Sequence, residues 1–342
     1  AFIAASVNLI LIEFFMFCSS IPAGAGSLKT MTDYLAKNEK FVAHTHELGD
    51  QLQDLSYAVG NQRWIRIIAG LIIVSGIGFN SLYLTGFFSD NPITISHRGV
   101  NDHNGVQNTI ESLKNTSRLH PDFIEMDIHE TKDHQFVLMH DENLKNLTGV
   151  DKAPHELTLK QLTKLTAHEN GSSAKIASLD DYMDAAEKLK QPLLIEFKTT
   201  KYDDPKVVER FNAKYGKRIL KNHDQVHSLD YDAVEKLKKL NPKLTVGYIL
   251  PFNFIGVPQS NADFYTMEYS TLNNSFLLTA ELTGRKVYAW TVNSDDAMAK
   301  LNFMGVDGII TDKLELLQKT TKQLNHHPSY ASRLVNFTFE IG

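Results

Sequence analysis

The fold is decided by residues 93–144, which read ITISHRGVNDHNGVQNTIESLKNTSRLHPDFIEMDIHETKDHQFVLMHDENL. Two short apolar runs in this stretch end in a histidine, ITIS before His97 and FVLM before His140. Between them, FIEMDI places Glu125 and Asp127 two residues apart. Because side chains alternate between the two faces of a strand, both carboxylates point the same way. Two histidines, two aligned carboxylates and one arginine at strand ends predict a metal-assisted phosphoryl-transfer site.

The composition is mixed and gives little further direction. A chain of 342 residues is long enough for one large domain and an appendage. The net charge of -5 and the pI near 6.3, without a basic block, predict no nucleic-acid partner. The single cysteine, Cys18, lies in an apolar run and is interpreted as a small hydrophobic side chain.

Residues 1–90 are predicted to form a membrane region. Two apolar runs in it are separated by polar sequence, and the run at 67–88 has no charged residue and the roughly 20 residues that span a bilayer. We predict transmembrane helices at about 1–21 and 66–88, joined by a polar loop at 22–63. No Lys or Arg precedes the first run, whereas a secretory signal begins with positive charge. We therefore interpret the run as part of a membrane helix whose beginning is missing, and we expect further helices upstream.

The positive charges predict the orientation of this region. The polar loop carries four basic residues, Lys29, Lys37, Lys40 and Arg63. After the second run, no Lys or Arg occurs before Arg98. The positive-inside rule therefore places the loop in the cytoplasm and everything after residue 90 outside. We expect an integral cell-membrane protein with an extracellular catalytic domain, and a domain without disulfides suits a bacterium with a single membrane.

From residue 92 onward, short apolar strands alternate with helical stretches. Nine candidate strands are at 93–97, 123–128, 136–140, 192–198, 225–229, 244–250, 263–269, 286–292 and 307–311. The gap between the second and third strands is too short for a parallel crossover, so this pair is predicted to be an antiparallel hairpin. Four stretches are predicted helices: TLKQLTKL, SLDDYMDAAEKLK, YDAVEKLKKL and SDDAMAKLNFMG. Ser178, Asp230 and Ser294 are suitable N-caps for three of them.

Without the hairpin strand, eight parallel strands alternate with helices. This pattern predicts an α/β fold, a (β/α)8 TIM barrel with a small β-hairpin insertion, over residues 91–318. Residues 319–342 are interpreted as a C-terminal surface tail. Active sites of such barrels lie at the carboxyl ends of the strands, where the histidines and carboxylates above are also expected.

Three carboxylates are candidate metal ligands. Glu196 ends the apolar strand LLIEF, and a charge there is costly to bury unless it is paired or bound to metal. Together with Glu125 and Asp127 it suits one hard divalent cation, Mg²⁺ or Ca²⁺. The alternative for the E-x-D pair alone is a surface face that forms salt bridges.

Two histidines and two positively charged side chains complete the candidate site. His97 and His140 are predicted to act as acid and base, because imidazole titrates near neutral pH, although a lone histidine at a strand end is more often structural. Arg98 and Lys198 provide positive charge for a phosphodiester. The alternative for Lys198 is a simple ion-pair partner of Glu196.

These motifs resemble the glycerophosphodiester phosphodiesterase family over about 93–317. The matching segments are HRG at 97–99, NT at 108–109, E-x-D at 125–127, TKD at 131–133, HD at 140–141, E-x-K at 196–198, WTVN at 290–293 and GVDGIITD at 305–312. The upstream helices resemble the end of the multi-helix membrane domain that some bacterial members carry.

The resemblance implies a (β/α)8 barrel with one divalent cation. It implies that His97 and His140 form the acid–base pair. It further implies metal ligation by Glu125, Asp127 and Glu196, phosphate contacts from Arg98 and Lys198, and an apolar pocket wall from Trp290. The sequence departs from the family pattern at two places. Gln107 stands where a Glu is usual, and Ser228-Leu229 stands where Ser-Phe is frequent.

The implied reaction is hydrolysis of a glycerophosphodiester to glycerol 3-phosphate and an alcohol. The attacking group is either water or the substrate's own 2-hydroxyl. The short tether from Ser89 to Pro92 favours membrane-derived or cell-wall substrates. Two alternatives stay open, phospholipase D-like or lyase action on lysolipids, and a non-catalytic lipid- or polymer-binding membrane protein.

Overall fold

The computed structural model describes residues 67, 70, 71, 74–78, 91–253 and 255–326. The described residues between 67 and 78 are helical. Among all described residues, no helix is both long enough and apolar enough to cross a bilayer. The predicted transmembrane helix at 1–21, the loop at 22–63, most of the run at 66–88 and the tail beyond 326 lie outside the described residues.

Residues 91–326 belong to one compact unit with eleven strands in its described part. The strands are β1 (Ile93–Ser96), β2 (Phe123–Glu130), β3 (Phe136–Leu138), β4 (Thr166–Glu169), β5 (Ser172–Lys175), β6 (Leu193–Phe197), β7 (Gln225–Ser228), β8 (Val246–Leu250), β9 (Phe264–Glu268), β10 (Lys286–Trp290) and β11 (Gly308–Thr311). Eight of them pair in parallel in the order β1-β2-β6-β7-β8-β9-β10-β11, and β11 pairs with β1 to close the barrel. The predicted (β/α)8 barrel is confirmed.

The described part of the chain has two antiparallel β-hairpins in addition to the eight parallel barrel strands. The predicted one joins β2 to β3, with Ile128 opposite Leu138. The other joins β4 to β5 and was not predicted, because TAHE and SSAK have no apolar run of the kind that marked the other strands.

The helices lie between the strands. They are α1 (Ile110–Thr116), α2 (Lys145–Thr148), α3 (Leu159–Leu162), α4 (Leu179–Leu189), α5 (Val207–Asn222), α6 (Tyr231–Leu240), α7 (Asn274–Leu282), α8 (Asp295–Met304) and α9 (Leu314–His326). The predicted N-caps are confirmed, since Ser178, Asp230 and Ser294 accept hydrogen bonds from backbone N–H groups of α4, α6 and α8. The stretch TLKQLTKL forms only the single turn α3. Helix α9 runs to His326, beyond the boundary at 318 that the sequence predicted.

Large side chains fill the barrel below the candidate site. A Cβ on Gly247 would lie 2.2 Å from the ring of Phe264, and one on Gly308 would lie 2.7 Å from the ring of Tyr288. These two glycines therefore make room for two rings inside a closed sheet. The rings pack in one buried cluster with Ile95, Leu194 and Ile310. The interior of the barrel is therefore filled with side chains. The inward-facing polar groups lie beyond this apolar cluster, at the carboxyl ends of the strands.

Candidate functional site

Strand register places three polar side chains at the same level. Asp127 on β2 pairs with Glu196 on β6, and Glu196 pairs with His227 on β7. Paired residues of parallel strands point to the same face, so all three side chains are directed into the barrel mouth. Glu125 lies two residues before Asp127 on the same face, as predicted.

Glu125 is fully buried and only half satisfied. The backbone N–H of Arg98 donates to its Oε2 over 2.8 Å, while Oε1 has no hydrogen-bond partner. Burial raises the pKa of Glu125 well above the ordinary carboxyl value, and the negative charges of Asp127 and Glu196 raise it further. This side chain therefore needs a proton or a cation.

Asp127 is surrounded by donors. Asn108 Nδ2 donates to its Oδ2 over 2.8 Å, and the backbone N–H of Asp127 donates to Asn108 Oδ1. Its Oδ1 lies 3.1 Å from Lys198 Nζ, and its Oδ2 lies 3.7 Å from Arg98 Nε. Burial favours the protonated acid, but Lys198 and Arg98 outweigh it and lower the pKa of Asp127. This carboxylate is therefore ionised at neutral pH.

Glu196 and Lys198 form a close pair, with Nζ donating to Oε1 over 2.6 Å. Burial and the nearby Asp127 raise the pKa of Glu196 to about 7, although Lys198 opposes the shift. Burial alone would lower the pKa of Lys198, but the two carboxylates raise it, so the amine is charged. Lys198 therefore forms the ion pair with Glu196 that was the alternative prediction for this residue. It also lines the central cavity of the site.

His97 directly follows β1 and is held on both sides. Its Nδ1 lies 2.7 Å from Asp312 Oδ1, and Arg98 Nε donates to its Nε2 over 3.2 Å. Asn293 Nδ2 donates to the other oxygen of Asp312. We assign Nδ1 as the protonated nitrogen, because its partner is a carboxylate and Nε2 accepts from Arg98. Asp312 therefore orients this imidazole.

His140 follows β3, and the hairpin carries it to the same rim. Its Nδ1 lies 2.8 Å from Asp141 Oδ1. Burial lowers the pKa of His140, with the positive charges of Lys198 and Arg98 acting in the same direction. The ring is therefore neutral at neutral pH, and with Nδ1 bound to Asp141 its Nε2 is free to accept a proton.

His227 is a buried histidine that sequence reasoning did not select. Its Nδ1 lies 3.0 Å from Thr266 Oγ1, and its Nε2 has no hydrogen-bond partner. Burial lowers its pKa to about 3, so the ring is neutral. One ligand atom of His227 lies within 4.8 Å of ligand atoms of Glu125 and Glu196.

Arg98 adopts the left-handed conformation, with φ 51°, which is uncommon for a residue other than glycine. Its Nη1 donates to Gln107 Oε1 over 2.7 Å. Gln107 Nε2 in turn donates to Glu169 on β4 over 2.6 Å. The unpredicted β4–β5 hairpin thus supports the side chain that orients the arginine, and the departure at Gln107 keeps a hydrogen bond to it.

The predicted residues converge on a cavity of about 70 Å³. Its lining includes His97, Arg98, Glu125, His140, Glu196, Lys198, His227 and Trp290. Asp127 lies behind this lining, against Lys198. A wider cleft of about 490 Å³ adjoins it and shares His140, Glu196, Lys198 and Leu229. The small cavity suits a compact charged group, and the cleft gives room for a second, larger one.

The cavity can hold a divalent cation. Glu125 Oε1 and His227 Nε2 are buried atoms without a hydrogen-bond partner, and each such atom costs about 1–3 kcal/mol. A cation would satisfy them. Only Glu125, Glu196 and His227 form a converging ligand group in the described part of the chain, so ligation by Asp127 stays a prediction.

Three partners in this site lacked an assigned role in the sequence. Asp141 and Asp312 stand within the motifs HD and GVDGIITD, and only the fold shows that they bind the two histidines. His227 stands in QVHS, where strand alternation is its one available signal.

Comparison with known proteins agrees with this geometry. The glycerophosphoryl diester phosphodiesterase family model matches residues 97–316. The glycerophosphodiester phosphodiesterase of Caldanaerobacter subterraneus is 26% identical, over 66% of this chain and 96% of its own. The human lysophospholipase D GDPD1 is also 26% identical, over 64% and 82%. The crystal structure of a glycerophosphodiester phosphodiesterase from Parabacteroides distasonis has a TM-score of 0.59 at 26% identity, over 69% and 98%.

Proposed function

Because this chain belongs to the glycerophosphoryl diester phosphodiesterase family, we propose that it hydrolyses glycerophosphodiesters to glycerol 3-phosphate and an alcohol. One observation carries the proposal. His97 and His140, each bound to its own aspartate, line one cavity together with Arg98 and Lys198. Cleavage of an anionic diester requires two oriented side chains that transfer protons and positive charge beside the phosphate. The two histidines provide the first, and Arg98 and Lys198 provide the second.

The catalytic roles follow from the surroundings of each group. We assign the base to His140, because its lowered pKa keeps Nε2 unprotonated at neutral pH. We assign His97 to the complementary role of acid, with its ring oriented by the hydrogen bond between Nδ1 and Asp312. Arg98 and Lys198 bind the phosphate oxygens, and Trp290 forms a wall of the cavity.

The residues that would hold one divalent cation include Glu125, Asp127 and Glu196, as the sequence predicts. When bound, the cation supplies positive charge that stabilises the phosphate in the transition state. The orphaned oxygen of Glu125 and the raised pKa values of Glu125 and Glu196 support this assignment.

The product distribution tests the function. We expect the purified chain to release glycerol 3-phosphate from glycerophosphoglycerol and glycerophosphocholine in the presence of a divalent cation, and EDTA to stop the release. Phosphorus-31 NMR identifies the products directly. A transient cyclic glycerol phosphate would identify the 2-hydroxyl as the attacking group, and ¹⁸O from labelled water in the first product would identify water. No release by folded, metal-loaded protein would contradict the proposal.

A second candidate activity is lysophospholipase D-like cleavage of lysolipids. The human relative named lysophospholipase D favours it, as does Leu229, which is 47% exposed and lines both the cavity and the cleft. The same NMR assay with lysophosphatidylcholine separates the two. Release of choline and lysophosphatidic acid supports this activity, and turnover of glycerophosphocholine alone excludes it.

We further propose that the barrel is anchored in the cell membrane and faces outward. The apolar run at 67–88 and the basic residues of the loop at 22–63 support this, and the described residues Leu71 and Val74 are exposed apolar side chains. A membrane position would give the site access to lipid-derived and cell-wall glycerophosphodiesters.

Cysteine labelling tests the orientation. In a Cys18→Ser background, Lys188→Cys places a thiol on the exposed face of α4, and Lys37→Cys places one in the predicted cytoplasmic loop. We expect a membrane-impermeant maleimide to modify the first variant in intact cells and the second only after permeabilisation. The reverse pattern, or recovery of the chain outside the membrane fraction, would contradict the anchored arrangement.

A further inference from the structure

We propose that His227 is a ligand of the divalent cation, so that the site is a mixed oxygen and nitrogen site that selects a transition metal. The inference rests on the proposed metal-dependent function and concerns only which residues and which ion complete the site. It begins from one unexplained group, a buried imidazole with a ligand atom within 4.8 Å of ligand atoms of two carboxylates.

The position of His227 is fixed by the sheet. It pairs with Glu196 in the β6–β7 register, and the two side chains enter the barrel mouth side by side. Ligand atoms of His227, Glu196 and Glu125 all lie within 4.8 Å of one another, a separation that a single ion can bridge. His227 is 2% exposed and lines the cavity of about 70 Å³ together with both glutamates.

The hydrogen bonding of the two ring nitrogens of His227 is that expected of a metal ligand. Nδ1 lies 3.0 Å from Thr266 Oγ1, which can accept a hydrogen bond from Nδ1–H, and Nε2 then carries the free lone pair. A second bond that fixes the tautomer and aims the other nitrogen is the usual support of a metal-bound histidine. Nε2 has no hydrogen-bond partner, so a purely structural histidine would leave this nitrogen unsatisfied at a cost.

The donor set predicts the ion. Carboxylate oxygens alone suit Mg²⁺ and Ca²⁺, whereas imidazole nitrogen suits transition metals. With one nitrogen beside the oxygens of Glu125 and Glu196, we expect affinity to increase in the order Mg²⁺, Mn²⁺, Co²⁺. The three carboxylates alone favour Mg²⁺ or Ca²⁺, and the nitrogen of His227 changes that preference.

Metal binding by the full chain tests the inference. Metal-stripped protein is titrated with Mg²⁺ and with Mn²⁺, and the Mn²⁺ complex is examined by pulsed electron paramagnetic resonance for coupling to a bound ¹⁴N nucleus. We expect nitrogen coupling in the wild type. His227→Gln should abolish it and lower Mn²⁺ affinity by about 10–100-fold, the range seen when support of a metal site is lost, with little change for Mg²⁺.

A second variant and a control protect the interpretation. Thr266→Val keeps the ring but removes the partner of Nδ1, and should lower Mn²⁺ affinity by less than His227→Gln does. His223→Asn, which changes an exposed histidine at the end of α5, should change neither measurement. Circular dichroism verifies that each variant is folded.

The outcomes separate this inference from the proposed function. Wild-type protein without nitrogen coupling, or with equal Mn²⁺ affinity before and after His227→Gln, overturns the inference even if EDTA-sensitive phosphodiesterase activity is present. Nitrogen coupling that His227→Gln removes supports it, even in a protein that releases no glycerol 3-phosphate and so fails the functional proposal.

Discussion

His140→Ala is expected to lower kcat for glycerophosphodiester hydrolysis by about 10²–10⁴-fold, the usual contribution of a positioned proton carrier. The ring lines both the cavity and the cleft, and its Nε2 is free while Nδ1 is bound to Asp141. Removal leaves Arg98, Lys198 and the carboxylates in place, so KM should change much less than kcat. Initial rates of glycerol 3-phosphate release at saturating substrate and metal measure the effect.

His120→Asn is the matched control. His120 is exposed, precedes β2 and therefore lies at the opposite end of the barrel, and its φ of 52° is one that asparagine tolerates. It should leave kcat unchanged. A loss of less than about tenfold in His140→Ala would contradict the assigned role, given the usual size of such contributions.

Asp141, which is hydrogen-bonded to His140, allows the role of His140 as the base to be tested through the pH dependence of kcat. The lowered pKa of His140 places the acidic limb of the kcat profile below the ordinary imidazole value. The hydrogen bond that His140 Nδ1 donates to Asp141 raises that pKa against the larger effect of burial. Asp141→Asn should therefore move the acidic limb to still lower pH and lower kcat by less than His140→Ala does. A shift of the limb to higher pH would contradict the assignment of His140 as the base.

Glu125→Gln is expected to stabilise the metal-free protein and to disable the metal-loaded one. Burial raises the pKa of Glu125 in the folded state, so the charged form is costlier in the folded than in the unfolded chain. The contribution of this residue to the free energy of unfolding therefore falls as pH rises through the ordinary Glu pKa. At mildly alkaline pH the variant should be more stable by more than about 1 kcal/mol, the free energy that corresponds to a one-unit rise in pKa, because Gln is neutral at every pH.

Denaturant unfolding of metal-stripped protein at several pH values measures this difference. It should shrink as the pH falls below the ordinary Glu pKa, and added Mn²⁺ or Mg²⁺ should reverse it by stabilising the wild type more than the variant. Phosphodiesterase activity should fall at least by the about 10–100-fold seen when a metal site loses a supporting residue. Glu281→Gln, on the exposed surface of α7, is the control and should change neither quantity. Equal stability of Glu125→Gln and wild type at alkaline pH would contradict the account.

The sequence by itself determined the barrel and most of its site. All nine predicted strands exist, with ends within two residues of those expected, because a barrel strand is a short apolar run whose inward face ends in polar residues. The hairpin after β2 followed from the length of the connection alone. His97, Arg98, Glu125, His140, Glu196, Lys198 and Trp290 all line one cavity, because the carboxyl ends of parallel strands meet at one rim.

Tertiary structure decided what depends on neighbours that are distant in the chain. Asp312 reaches His97 across 215 residues only because β11 closes the barrel against β1. The β4–β5 hairpin has no hydrophobic period, and its role in holding Gln107 appears only in the fold. His227 is one of fourteen histidines, and nothing local distinguishes it. The β6–β7 register brings it beside Glu196, because pairing between strands is set by packing of the whole barrel rather than by either strand's sequence.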